Sequence, residues 1–151
     1  MRDTAGPRPG LEQRPPERSA PYIEAKVARD LKARARALNF DDAKIDRLIG
    51  ELNRNVSQGH AYAAHALLRA ILDHVPPMLG FHDFKALANN YPWSRTDRMY
   101  ATRLNDFKLQ ADDALHRQIS RRNDLLGIDD LPPRVWVNTV LQECAAGPRP
   151  G

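Results

Sequence analysis

The sequence predicts an all-α protein, a bundle of four or five main helices with disordered tails rich in proline and arginine. Apolar residues recur every three or four positions through most of residues 22–144, and helix-start and helix-stop residues separate these stretches. No stretch has the alternation or the hairpin turn of paired β-strands. Only the short VWV at 135–137 is left undecided, because its periodicity fits either element.

The tails are residues 1–21 and 145–151, and they flank a single predicted domain at 22–144. They hold almost no large apolar side chains, so burial cannot offset the entropy cost of ordering them. Both contain GPRPG, which is explained either by composition or by a docking peptide. The formal net charge of +4 falls to about +2 without the tails, so bulk charge alone does not indicate nucleic-acid binding.

Composition also excludes several classes of site. The single cysteine, Cys144, excludes an internal disulfide framework and a zinc site built on several cysteines. No apolar run approaches the roughly 20 residues of a membrane span, and no signal-peptide pattern opens the chain. The sequence has no glycine-rich phosphate loop, His60 and His82 have no partners at a metal-ligand spacing, and His116 with Asp112 supplies only two ligands. We therefore expect a cytoplasmic protein without a metal or cofactor.

The first two helices are predicted on either side of NFDD. The first covers YIEAKVARDLKARARAL, with Pro21 at an early helical position, and its polar face is basic. This face fits a solvated surface or a surface for RNA or an acidic partner. Asp41 is predicted to cap the second helix, which ends near Gly59. The two apolar stripes are Ile23, Val27, Leu31, Ala35 and Leu38, and then Ile45, Leu48, Ile49, Leu52 and Val56.

The third helix, predicted over His60–Val75, is apolar round much of its circumference, so we expect it to be the central and most buried helix. Pro76 and Pro77 end it, because proline lacks an amide donor and clashes with the preceding turn. A helix that is apolar on more than one side, in so short a chain, also predicts a homodimer that covers the remaining surface.

The rest of the domain is predicted as a short helical piece, one long helix and a last helix. HDFKALA forms one or two turns, and Ser94 with Asp97 resembles a capping box at the start of a helix that continues almost to Arg122. GIDDLPP is a turn, after which Pro133 opens the last helix. The apolar stripes are Tyr100, Leu104, Phe107, Ala111, Leu115 and Ile119 in the long helix and Val137, Val140, Leu141 and Cys144 in the last.

Polar residues inside the central helix raise the first question of function. His65, Arg69 and Asp73 recur every four residues and lie along one side of the helix. A half-buried arginine needs a partner, so we predict that Arg69 pairs with Asp73. Arg69 and His74 have the spacing found in a class of metal-independent ribonucleases, but they lie about 140° apart round a helix with roughly 3.6 residues per turn. They can act together only across a dimer interface.

The second group of polar residues lies near the end of the long helix, in QADDALHRQISRR. Asp112 precedes His116 by four residues, where a carboxylate orients the imidazole and favours its charged form. The apolar stripe of the long helix continues next to His116, so we expect this histidine at the border of that stripe. These residues suit acid–base cleavage of a phosphodiester, although a structural hydrogen bond and the helix dipole explain them equally well. The basic cluster that follows is a candidate RNA-binding surface: Arg117, Arg121 and Arg122.

The stretch from ELNRNVSQGHAYAAHALLRAILDHVPP to ADDALHRQI, residues 51–119, resembles small bacterial helical domains of the HEPN superfamily. In those domains a helix carrying LLR and an acidic residue is followed by a helix that ends in an acid or amide and a histidine. The resemblance implies a helical bundle that dimerises through its central helices. It also implies a frequent association with RNA cleavage, toxin–antitoxin pairs or anti-phage defence.

Matched to that pattern, His116 takes the place of the superfamily's histidine and Asp112 that of the polar residue near it. The catalytic arginine has no counterpart just upstream, where QADDALH offers only Lys108 nearby. Two functions follow as expectations. The first is an inert module that dimerises or docks onto a protein partner encoded nearby. The second is a metal-independent endoribonuclease that uses His116 with arginines contributed across a dimer, and its candidate catalytic residues are His116, Asp112, Arg69 and His74.

Overall fold

The computed structural model describes residues 20–147, and these fold into α-helices and 3₁₀ turns without any β-strand. The predicted all-α class is confirmed, and the undecided VWV is helical. The predicted tails lie outside the described residues, except for 20–21 and 145–147. The α-helices are α1 (Ala25–Ala37), α2 (Asp42–Ser57), α3 (Ala61–His74), α4 (Phe84–Asn90), α5 (Arg95–His116) and α6 (Arg134–Ala146), with 3₁₀ turns at Pro76–Leu79 and Ile128–Asp130.

The five longer helices pack as a closed ring around one core. α1 packs against α2, α2 against α3, α3 against α5, α5 against α6, and α6 returns to α1. The short α4 packs on α5 and contributes Phe84, which is fully buried. In the part of the chain that the structure describes, no helix is both long and apolar enough to cross a membrane.

The sequence predicts that the central helix is the most buried element, and the structure shows it about as buried as α6. α3 buries Ala64, His65, Leu68, Ile71 and Leu72, and the shorter α6 also buries five residues. On its other side α3 keeps Tyr62, Ala63 and Ala66 exposed.

The chain enters the fold through a non-helical segment, residues 22–24, and not through a helix that starts near Pro21 as predicted. Two asparagine side chains from distant helices bind this backbone. Asn53 Oδ1 accepts a hydrogen bond from Ile23 N at 2.8 Å, and Asn138 Oδ1 accepts one from Glu24 N at 2.8 Å. Both asparagine amides donate back, to Ile23 O at 3.1 Å and to Tyr22 O at 2.9 Å. Because these bonds hold residues 22–24 in a non-helical conformation, α1 starts only at Ala25.

Helix ends elsewhere follow the predicted caps. Asp41 accepts hydrogen bonds from Ala43 N and Lys44 N at the start of α2, and Ser94 accepts one from Asp97 N at the start of α5. α2 ends in a Schellman motif, in which Gly59 has a φ of +76° and the bonds His60 N to Asn55 O and Gly59 N to Val56 O close the helix.

The end of α5 differs from the prediction, because the helix stops at His116 and not near Arg122. Residues 117–127, the connecting segment, are non-helical and mostly exposed. The apolar residues that return to the core here are Ile128 and Leu131, and Ile119 is fully exposed. A helix continued through Ile119 would carry the chain away from that position, so periodicity alone overestimated its length.

Candidate functional site

The candidate site lies on the seam between α3 and α5, where charged and titratable side chains contact one another. Asp112 Oδ1 lies 3.3 Å from Arg69 Nη2 and 3.4 Å from His116 Nε2. Next to this group, Asp73 pairs with Lys108 across the seam and lies 3.9 Å from Arg69 Nη1. A spacing of four residues puts the three α5 members on one side of that helix, facing the two from α3.

The predicted pair between Arg69 and Asp73 is present, but a second carboxylate is closer. Asp112, on the neighbouring helix, is 3.3 Å from the Arg69 guanidinium, against 3.9 Å for Asp73. Arg69 Nε is buried and has no hydrogen-bond partner among the described residues. The guanidinium is therefore held at the seam by a contact between helices, which the spacing within one helix did not indicate.

His116 is exposed, with 76% of its side chain accessible. Its expected position at the border of a continuing core stripe is wrong, because α5 ends at this residue and the stripe ends with it. His116 Nε2 and Arg69 Nη2 contact the same oxygen of Asp112, so the two nitrogens are at most about 7 Å apart. The imidazole is open to solvent and close to a guanidinium of the same chain.

The three arginines of the basic cluster lie in the connecting segment. Arg117 is bound by two carboxylates, Asp113 and Asp124, the second at 3.3 Å. The hydrogen bonds that Arg117 donates to Asp113, and then to Asp124, raise the pKa of its guanidinium. Arg121 and Arg122 are exposed and, within residues 20–147, have no acidic partner within 4.0 Å. Only these two of the three arginines carry uncompensated charge.

His74 lies apart from the seam, as the predicted angle of about 140° from Arg69 requires. It lines a cavity of about 370 Å³ with residues of the α1–α2 loop and of the 3₁₀ turn, including Phe40, Asp41 and Met78. Burial lowers the pKa of His74, Lys44 lowers it further, and Asp41 opposes both. The structure therefore brings together three of the four candidate catalytic residues in one chain and leaves His74 out.

The seam has the groups that acid–base chemistry on a phosphate would use. The Arg69 and His116 nitrogens that contact Asp112 are at most about 7 Å apart, so both reach one phosphate only if that phosphate displaces Asp112 from them. Asp112 orients the imidazole, which can move a proton, and the guanidinium can stabilise negative charge. Among the described residues, no three histidine, cysteine, aspartate or glutamate side chains are grouped to hold a metal ion.

One side of α3 is uncovered next to this seam. Tyr62, Ala63 and Ala66 are exposed, Arg69 is half-buried and Asp73 is exposed. These five residues, here called the α3 face, recur at three- and four-residue intervals and so form one continuous strip of the helix. The alanines make the middle of the strip flat, and the two charged residues have opposite signs.

His65 is buried, unlike Arg69 and Asp73, with which it was expected to share a side of the helix. Only 2% of it is exposed. A step of four residues advances about 40° beyond a full turn, so the three residues move progressively from the core to the surface. His65 Nδ1 donates to Ala61 O at 2.7 Å, and Nε2 is buried without a partner among the described residues. An unsatisfied buried acceptor costs about 1–3 kcal/mol.

A cavity of about 290 Å³ lies against His65, between α3, α5 and the connecting segment. Its apolar lining includes Phe107, whose ring centroid is 5.7 Å from that of His65. Sequence reasoning missed this cavity, because the segment that closes it was predicted to be helical. The other lining residues are Gln110, Ala111, Ala114, Arg117, Asp124, Leu126 and Asp130.

Comparisons with known proteins do not extend this description. No protein-family model matches the chain, and neither a curated protein nor a solved structure matches it.

Proposed function

We propose that this chain is a HEPN-like helical module that forms a homodimer through the α3 face and works in the bacterial cytoplasm. Its setting would be a defence or toxin–antitoxin type of system, in which a protein partner encoded nearby binds the dimer. The observation that carries the proposal is the exposed surface of Tyr62, Ala63 and Ala66, which borders the seam residues Arg69 and Asp73, on a helix that is otherwise built into the core.

Three properties of the α3 face support a second copy of this chain as its occupant. Exposed alanines let two helix backbones approach closely, because interaxial distance depends on the side chains at the contact. Arg69 and Asp73 provide both signs of charge on one strip, as a two-fold interface requires if each residue is to meet its counterpart. Tyr62 is a large amphipathic residue of the kind enriched at interfaces, and 42% of it is exposed.

The experiment is a pair of alanine-to-glutamate substitutions measured by light scattering at tens of micromolar. Ala66→Glu places a charge in the middle of the α3 face and is expected to convert the dimer to a monomer. Ala33→Glu is the matched control, because Ala33 is also an exposed helical alanine but lies on α1. A wild-type mass of one chain, or equal masses for the two variants, would contradict the proposal.

A second candidate function, metal-independent RNA cleavage, is favoured by one specific observation. Arg69 and His116 of the same chain contact one Asp112 oxygen, so an arginine is near the histidine even though the local motif lacks it. In this candidate His116 moves the proton, Arg69 stabilises the phosphate charge, and Arg121 and Arg122 bind the RNA backbone. The exposed imidazole is also accessible to a substrate as large as RNA.

RNA cleavage in the presence of a chelator tests this second candidate. His116→Ala should abolish cleavage and change the free energy of unfolding by less than about 1 kcal/mol, because the side chain is mostly exposed. His82→Ala is the matched control, since His82 is an exposed histidine beside a carboxylate, 3.0 Å from Asp83, on another part of the surface. Wild-type protein that never cuts RNA would leave the inert dimerisation module as the function.

A further inference from the structure

The cavity that His74 lines is built where α1 and α3 end and the chain turns. Phe40 follows the positive φ of Asn39 at the end of α1, and its backbone N–H donates to Ala35 O at 2.8 Å. The 3₁₀ turn that follows α3 contributes Met78, which is buried. Two walls of the cavity are therefore set by backbone turns and do not depend on a bound molecule.

The lining of this cavity is mostly apolar. The apolar lining residues are Ala35, Phe40, Ile45, Pro77 and Met78, and 43% of Phe40 is exposed. Sites for small molecules are concave and mostly apolar, have a few polar groups, and measure roughly 300–1,000 Å³. A volume of about 370 Å³ lies near the lower end of this range and suits a molecule of one or two rings.

His74 is the polar side chain of this lining that has no partner. Among residues 20–147 its imidazole makes no hydrogen bond or ion pair, and neither ring nitrogen is sealed from solvent. The other two polar lining residues are already bound, since Asp41 caps α2 and Asp73 pairs with Lys108. The group available to a polar atom of a ligand is therefore the imidazole.

The protonation of His74 indicates which polar group suits it. Burial lowers the pKa of His74, Lys44 lowers it further, and Asp41 opposes both, so the ring is neutral at neutral pH. A neutral imidazole has one nitrogen that donates and one that accepts, and a hydroxyl group can bind either of them.

The remaining lining residues limit the charge and the shape of the ligand. Asp41 and Asp73 are two carboxylates, and no lysine or arginine lines the cavity, which disfavours an anion. The ring of Phe40 and the thioether of Met78 both make favourable contacts with aromatic rings. An uncharged aromatic molecule fits these walls.

We propose that this cavity binds a small, uncharged aromatic compound that carries a hydroxyl group, which in the simplest case is a phenol. The hydroxyl group bonds to the imidazole of His74, and the ring packs against Phe40 and Met78. Of the lining residues only Asp73 also belongs to the α3 face, and the inference requires neither dimerisation nor RNA cleavage.

Matched naphthalene probes test the proposal by calorimetry and by amide shifts of the full chain at neutral pH. 2-Naphthol should bind saturably. 2-Methylnaphthalene, which has a methyl group in place of the hydroxyl, should bind about tenfold more weakly for the loss of one hydrogen bond. 2-Naphthoate should bind more weakly than 2-naphthol, because of the two carboxylates. Equal binding of 2-naphthol and 2-methylnaphthalene, or a preference for the naphthoate, would overturn the assignment.

Two variants locate the binding, at side chains that are both partly accessible to solvent. Phe40→Ala removes an aromatic wall and should weaken 2-naphthol binding about tenfold. Leu109→Ala, which truncates another exposed apolar side chain, on α5, should leave that binding unchanged. His74→Phe should remove the preference for 2-naphthol over 2-methylnaphthalene. Equal effects of Phe40→Ala and Leu109→Ala, or no saturable signal with any probe, would refute the proposal.

Discussion

Asn39, just after α1, has a φ of +63°, a backbone conformation that side chains with a Cβ rarely adopt. It ends α1 in a Schellman motif, with hydrogen bonds from Phe40 N to Ala35 O at 2.8 Å and from Asn39 N to Arg36 O at 3.1 Å. Glycine adopts this conformation without strain, and asparagine does so better than other residues with a side chain.

We therefore expect Asn39→Gly to raise the free energy of unfolding by up to about 1 kcal/mol, and Asn39→Ala to lower it. Urea denaturation of the two variants beside the wild type measures both changes. Asn90→Gly is the control, because Asn90 is the last residue of α4 and does not have the positive φ of Asn39. Glycine at position 90 therefore relieves no backbone strain and should not raise the free energy of unfolding. Equal effects of glycine and alanine at Asn39 would refute the role given to its backbone.

Two buried acids make the fold sensitive to alkali. Burial raises the pKa of the Cys144 thiol to about 12, with a further rise from Glu143 and a partial reduction from Arg34. Burial also raises the pKa of Tyr22, against a lowering by Arg134, and the Tyr22 hydroxyl donates to Pro132 O at 2.6 Å. Both groups stay protonated in the folded chain at pH values where the unfolded chain loses those protons.

A group whose pKa is higher in the folded chain contributes its full stability at pH values below its pKa in the unfolded chain, which is 9.0 for the thiol. This stability is lost as the pH rises towards the pKa in the folded chain, near 12. We expect the free energy of unfolding to fall steadily between pH 9 and pH 12. Urea denaturation at several pH values in this window measures the slope, and Cys144→Ala should make it shallower. A constant free energy of unfolding across the window would be inconsistent with the burial of both groups.

At the scale of elements, the non-helical segment before α1 depends on contacts with helices that are distant in the sequence. Asn138, which is buried in α6, accepts from Glu24 N and donates to Tyr22 O. We predict that Asn138→Ala lowers the free energy of unfolding by about 2–4 kcal/mol, because it leaves backbone groups without partners. Gln142→Ala on the same helix is the control, since among the described residues the Gln142 side chain bonds only to Asp30 and its loss should cost less than about 1 kcal/mol. Equal losses in thermal denaturation would contradict this account.

The elements also show how far sequence reasoning reaches. Helix starts that depend on one nearby side chain, at Asp41 and Ser94, are predictable because donor and acceptor lie within three residues. The start of α1 is not, because Asn53 and Asn138 act over separations of 30 and 114 residues. The spacing of apolar residues does not predict the end of α5 either. Ile119 continues the helical spacing of the apolar residues, but its side chain is fully exposed.

The candidate site was predictable in part for the same reason. The contact of Asp112 with His116 lies within one helix and follows from a spacing of four residues. The contact of Asp112 with Arg69 depends on how α3 packs against α5, which no local pattern contains. The His65 cavity depends on the path of the connecting segment and was equally hidden.

At the scale of the whole molecule, the ring of five helices encloses one core but leaves the α3 face uncovered. Among the described elements, α2 and α5 make the most extensive contacts with α3. The α3–α5 seam borders the strip through Arg69 and Asp73, so dimerisation through this face would bring two copies of the seam together. Dimerisation is the central claim, because the proposed protein partner binds the dimer.

A disulfide cross-link at Ala66 tests that claim most directly. The only native thiol, Cys144, is buried and protonated, so a cysteine introduced at the surface reacts alone. Ala66→Cys under mild oxidation is expected to give a covalent dimer of twice 17.1 kDa on a non-reducing gel, while Ala33→Cys on α1 stays monomeric. Equal and slow cross-linking of both variants would show that the α3 face is not where two copies meet.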